Sequence, residues 1–153
     1  MWSRIIVTAF GVLLSCAEYL PAQAGLQPDY RPFVRKAKQF IDYGQDFLDF
    51  AKNGDFQASS DLAAIASTAN SHASAASTLL QVYNDLSCPQ DKGMLRTVIR
   101  REFSYYSKEV ALEIKEAQLD ISVTEKPGVA AEALRMKDDL RELQSLFDSV
   151  TFP

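Results

Sequence analysis

The stretch 94–122, MLRTVIRREFSYYSKEVALEIKEAQLDIS, decides the fold. It contains neither proline nor glycine, and from Leu95 to Ile121 it reads as one long helix. Apolar residues recur at Leu95, Ile99, Phe103, Tyr106, Val110, Ile114, Ala117 and Ile121, in steps of 4, 4, 3, 4, 4, 3 and 4. That rhythm, about 3.67 residues per turn, keeps the stripe on one side of a nearly straight helix. At ~1.5 Å per residue the helix is about 40 Å long. It cannot bury such a face alone, so the rest of the chain must cover it.

Three further segments have the pattern to do so. From Asp29, a residue suited to an N-cap with Pro32 tolerated in the first turn, Phe33, Ala37, Phe40, Gly44, Phe47 and Ala51 recur at helical steps. Val34, Ile41 and Leu48 run beside them and broaden the predicted apolar face. Asn53-Gly54 closes this helix, because glycine takes a left-handed C′ conformation without penalty. The next helix, from Asp55 or Ser59 to Leu86, carries Leu62, Ile65, Ala69, His72, Ala76, Leu79, Tyr83 and Leu86 at 3/4 spacing. Its Ala, Ser and Thr content lets a neighbouring backbone come close. Ser87 and Gln90 stand at capping-box spacing, with Pro89 inside the first turn of the long third helix. After Pro127-Gly128, the residues Val129, Ala133, Met136, Leu140, Leu143, Phe147 and Val150 form the clearest heptad, coiled-coil-like, in the chain. Four amphipathic helices joined by short breaks predict an all-α, antiparallel up-down-up-down four-helix bundle, one domain over residues 25–153.

The first 24 residues stand apart from that domain. Arg4 gives a short basic start, Ile5 to Ala17 is largely apolar, and Ala22-Gln23-Ala24 is a small-x-small cleavage signal. The pattern predicts a secretory signal peptide cut between Ala24 and Gly25, hence a periplasmic or secreted product. The apolar run is shorter than the ~20 residues a transmembrane helix needs. A second reading competes for the same segment. Leu13-Leu14-Ser15-Cys16 resembles a bacterial lipobox, in which Cys16 would be acylated and tether the protein to a membrane. After a cut at Ala24, Cys88 is the sole cysteine, a candidate for an intermolecular disulfide.

Composition narrows function by exclusion. A net charge of −4 and a pI near 5.0 argue against a nucleic-acid binder, which needs a basic face for phosphate. With one histidine and one mature cysteine, hydrolytic and redox catalysis lack their usual parts, so the expectation is a non-enzymatic protein with no cofactor and no metal. His72 invites a haem or metal reading, with Met94 or Met136 as second haem ligand. Ala69 three residues earlier does not make the Glu-x-x-His pair of di-iron bundles. A bundle holding haem or a small apolar ligand beside His72 is therefore the alternative. The acids Glu102, Glu109, Glu113, Glu116 and Asp120 read as a solvated charged face, with Arg101, Lys108 and Lys115 repeating on another side.

The most informative feature is a second apolar row on the long helix. Val98, Tyr105, Leu112 and Leu119 recur every seven residues, more than ~100° from the centre of the main stripe. Such a row predicts a surface for another envelope or extracellular protein, or for self-association, with Tyr105 and Tyr43 as anchors.

Overall fold

A computed structural model describes residues 27–54 and 56–152. The predicted signal peptide, its cleavage site and Cys16 lie outside the described residues. Within them the chain forms four helices and no strand: α1 Arg31–Lys52, α2 Phe56–Asp85, α3 Pro89–Val123 and α4 Pro127–Ser149.

The helix ends show what local chemistry sets the boundaries. Asp29 does not cap α1. Its carboxylate accepts from the backbone N–H of Arg31 at 3.0 Å and from the Arg31 guanidinium, so the helix starts two residues later. Gly54 follows α1 at φ +102°, as expected, and its N–H donates to the Ala51 carbonyl at 3.2 Å. α2 is shorter than expected by one residue at its end, although the Leu86 N–H still reaches the Val82 carbonyl. The capping box at Ser87 and Gln90 does not form. Cys88 holds the N-cap position instead, its carbonyl accepting from Lys92 N–H at 3.0 Å, with Pro89 at the first helical position. α3 then runs through Gly93 without a break, to a length of 35 residues.

The stripes found in the sequence mostly meet in one core. Ile99, Phe103, Tyr106, Val110 and Ala117 of α3 are buried, while Leu95, Ile114 and Ile121 pack at its edge. All heptad residues of α4 from Val129 to Phe147 are buried, as are Phe33, Phe40 and Phe47 of α1. Each fully buried Phe or Leu side chain contributes about 2 kcal/mol relative to exposure. The α1–α2 pair is the closest. Ala66, Ala69, Ala73 and Ala76 are wholly buried, and a side chain on Gly44 would meet the Ala66 methyl at only 3.9 Å. The small residues of α2 therefore bring two backbones together, as the sequence implied.

At one end the core is aromatic. Phe33, Phe103 and Phe147 form a triangle with ring centroids 5.3 to 5.5 Å apart, and Tyr106 joins Phe147 at 5.5 Å. The first turns of α1 thus lie beside the last turn of α4. At the other end, Phe50 of α1 sits against Gly128 of α4. The Asn84 amide near the end of α2 donates to the Pro28 carbonyl at 3.1 Å, just before α1. Beyond α4 the chain stays packed, with Phe152 meeting Tyr83 edge-on at 4.9 Å. The apolar face of α1 is narrower than predicted. Val34, Ile41 and Leu48 are 45 to 53% exposed, because the core stripe of α1 is filled by Phe33, Phe40 and Phe47 and the wall of α2 does not wrap further.

Candidate functional site

The four helices touch in a ring, α1 to α2, α2 to α3, α3 to α4 and α4 to α1. This creates four seams, and three of them bury an ionisable side chain: Lys36 between α4 and α1, Lys137 against Gln118 between α3 and α4, and Glu113 between α2 and α3. The seam between α2 and α3 gathers most of the residues singled out from sequence.

His72 sits near the middle of α2 and lies flat on the Tyr106 ring, centroids 4.8 Å apart, with the edge of Tyr105 at 6.4 Å. Its Nδ1 is 4.0 Å from Glu113 Oε1 on α3, too long for a hydrogen bond. Glu113 is not on a solvated face. Its side chain is only 9% exposed, and both carboxyl oxygens and His72 Nδ1 are buried without a hydrogen-bond partner among the described residues. Burial, with Glu109 and Glu116 adding to it, pushes the Glu113 carboxyl up to about 8. Burial also holds the His72 imidazole below its usual value, with Glu109 acting in the opposite sense. At neutral pH the pair is thus a neutral acid beside a neutral imidazole, which is how the fold avoids isolated buried charges.

Glu113 opens onto a groove between α2 and α3, lined also by Asp61, Glu109, Glu116, Asp120 and Leu112. Asp120 titrates above its usual value there, first through burial and then through Asp61 and Glu116. The sequence placed these acids on an outer face. The structure puts four of the five on a groove wall and one of those four out of water. Among the described residues, no three of His, Cys, Asp and Glu converge as metal ligands do. Met94 lies twelve residues before Tyr106, on which His72 stacks, and so about 18 Å along the helix from that contact. It cannot share a haem with His72. Met136 is wholly buried in the core.

The outer row borders this groove. Val98, Tyr105, Leu112 and Leu119 are 38 to 65% exposed, in line along α3. Tyr43 does not belong to the same surface. It lies at the opposite seam, between α1 and α4, where its hydroxyl donates to Asp139, and burial and that bond raise its pKa. Asp139 also holds the Lys36 ammonium at 2.6 Å, and Glu142 joins it from the next turn of α4. Cys88 is a half-buried free thiol at the start of α3, sixteen residues of chain from His72.

No family model matches the chain, and comparison with curated proteins and with solved structures gives no match. Among the described residues no helix is long and apolar enough to cross a membrane.

Proposed function

We propose that this is an exported, non-enzymatic helical bundle that acts by binding another protein of the envelope or extracellular space. The binding surface is the outer row of α3, with the acidic groove beside it. One observation carries this reading: four large apolar side chains, one per two turns, stand exposed together on a helix whose opposite face is fully used by the core. Contiguous exposed apolar surface is costly unless a partner covers it, and tyrosine is a favoured anchor in such contacts. Tyr43 drops out of the surface and serves the bundle instead.

The signal-like start of the chain supports export, and the single cut at Ala24 is the processing the sequence favours over acylation at Cys16. Intact mass of the natively exported protein separates the two, since one product begins at Gly25 and the other at a lipidated Cys16. The antiparallel up-down-up-down order, in one domain over residues 25–153, is supported by the contacts of Phe33 with Phe147, Phe50 with Gly128 and Asn84 with Pro28.

The binding reading has a direct test. Tyr105→Asp combined with Leu112→Asp keeps the far-ultraviolet circular dichroism and melting behaviour of the parent and abolishes complex formation. Loss of helicity in that variant would show the row to be structural and end the proposal.

A further inference from the structure

The row on α3 is flanked by charge in a regular way. Val98, Tyr105 and Leu112 are each followed three residues on by a base, Arg101, Lys108 and Lys115, and four residues on by an acid, Glu102, Glu109 and Glu116. Three residues advance the helix by about −60° and four by about +40°, so the bases lie along one side of the apolar ridge and the acids along the other. The acidic side is the α2/α3 groove, which Asp61 and Asp120 extend and on which the unpartnered, nine-tenths buried Glu113 opens. The basic side faces away from α2, with Lys108 bordering the α3/α4 side near Phe147. Among the described residues Arg101 pairs only with its neighbour Glu102, in an exposed contact at 2.9 Å that is worth little in water.

From this arrangement we infer that the partner of the α3 ridge is a second copy of the same chain, paired through α3 in parallel about a two-fold axis. The inference rests on the protein-binding reading above and names its partner. Symmetry decides the orientation. A two-fold axis parallel to α3 lays ridge on ridge and exchanges left for right, so each basic strip meets the other copy's acidic groove. A two-fold axis across α3 sets acid against acid and base against base, which opposite-facing copies must then overcome. In the parallel pair the ridge residues stack on themselves, Leu112 on Leu112, as in a two-stranded coiled coil with charged flanks. The basic strip of one copy brings cations to the groove on which Glu113 opens, whose lining among the described residues holds no Lys or Arg.

Sedimentation equilibrium of the exported chain beginning at Gly25 and carrying Cys88→Ser, from about 5 to about 500 µM, is the experiment. A reversible dimer with a micromolar dissociation constant is expected. Reversing the basic strip (Arg101→Glu, Lys108→Glu, Lys115→Glu) weakens it at least about tenfold, as does reversing the acidic one (Glu102→Lys, Glu109→Lys, Glu116→Lys). An equimolar mixture of the two variants associates again. On the same Cys88→Ser background, Leu112→Cys forms a disulfide with itself on oxidation. A parent that is monomeric throughout, strip variants that dimerise as well as the parent, or failure of Leu112→Cys to cross-link each overturns the parallel dimer. The double variant of Tyr105 and Leu112 keeps the two proposals apart. If it stays helical while the parent is monomeric, only the identity of the partner is lost; if it loses helicity, both proposals fall.

Discussion

Between α1 and α4, the Lys36 ammonium is held by Asp139 and Glu142, and the Tyr43 hydroxyl occupies the second Asp139 oxygen. Between α2 and α3, on the opposite side of the bundle, Glu113 and His72 face each other across 4.0 Å with three polar atoms unpaired. Both seams bury ionisable side chains to a similar depth, Lys36 and Glu113 each being 9% exposed. One seam is chemically closed and the other is not. The closed seam has an apolar core beside it, and the exposed α1 row borders α2 instead, where Ile41 and Leu48 line a groove. The open one lies beneath Tyr105 and Leu112, where the chain also leaves apolar surface uncovered. A buried group without its partner costs more than the same group paired. Two deficits at one place, in polar pairing and in apolar cover, are what supports the proposal that association completes this surface.

Breaking the closed seam should have the largest effect. Lys36→Met keeps the aliphatic stem and removes the charge, so Asp139 is left with Tyr43 alone. The expected cost is about 3 kcal/mol, at the lower end for a broken buried pair because Glu142 is well exposed and Asp139 is not wholly shielded. Urea unfolding measures it. Adding Asp139→Asn to the variant should recover most of the loss, since the amide can still accept from Tyr43 and no lone charge remains. A double variant as unstable as the single one would mean that Lys36 matters for packing rather than for pairing.

The open seam should respond with the opposite sign. The Glu113 pKa rises on folding from 4.5 to about 8, so the folded state holds the proton after the unfolded chain has released it. Its contribution is neutral below 4.5, falls as pH rises between 4.5 and about 8, and stays low above that. His72 works the other way, since its lowered pKa costs stability as pH falls below 6.5. The two oppose each other below 6.5, and from there to about 8 Glu113 acts alone. Glu113→Gln should therefore be more stable than the parent by at least about 2 kcal/mol at pH 8, with the gain vanishing near pH 4.5. Melting curves of both proteins across that range decide it. Parallel pH profiles would show that Glu113 does not titrate as its surroundings imply. If the proposed dimer forms, with Lys and Arg of the second copy near the groove, the advantage of the Gln variant should shrink.

The fold was readable because α3 and α4 carry unambiguous 3/4 stripes, and all four helices formed where those stripes lie. What was not readable is which of two adjacent residues turns inward. From Val110 the core step to Ala117 can pass through Glu113 or Ile114, at 3 then 4 or at 4 then 3. The polar character of glutamate pointed to Ile114, yet the stripe is wide enough that Glu113 is buried and Ile114 sits at the edge. The same ambiguity hid Lys36 beside Ala37 and Lys137 beside Met136, and all four of these are buried. A charged residue flanking a core position at 3/4 spacing on both sides was the available signal. It could not say whether a partner waited across the seam, because that depends on the register between helices. Tyr43 was misplaced for that reason, as only the packing of α1 on α4 brings Asp139 to its hydroxyl.

The smallest effects come from one operation done in both seams, the replacement of a polar aromatic by phenylalanine. Tyr43→Phe deletes a hydrogen bond to a carboxylate that Lys36 continues to hold, and keeps the ring against Phe40 and Phe47. The loss should be about 1.5 kcal/mol, the low end for a hydrogen bond to a charged group, since no charge is left stranded. His72→Phe keeps a ring on Tyr106 but removes an imidazole nitrogen that has no partner. Nothing made is lost and one unmet desolvation cost disappears, so stability should be unchanged or rise by up to about 1 kcal/mol. The two seams then answer the same substitution with different signs. If His72→Phe instead destabilises as much as Tyr43→Phe does, His72 and Glu113 hydrogen-bond in solution, by a closing of about 1 Å between the two helices, and the α2/α3 seam is as closed as its opposite.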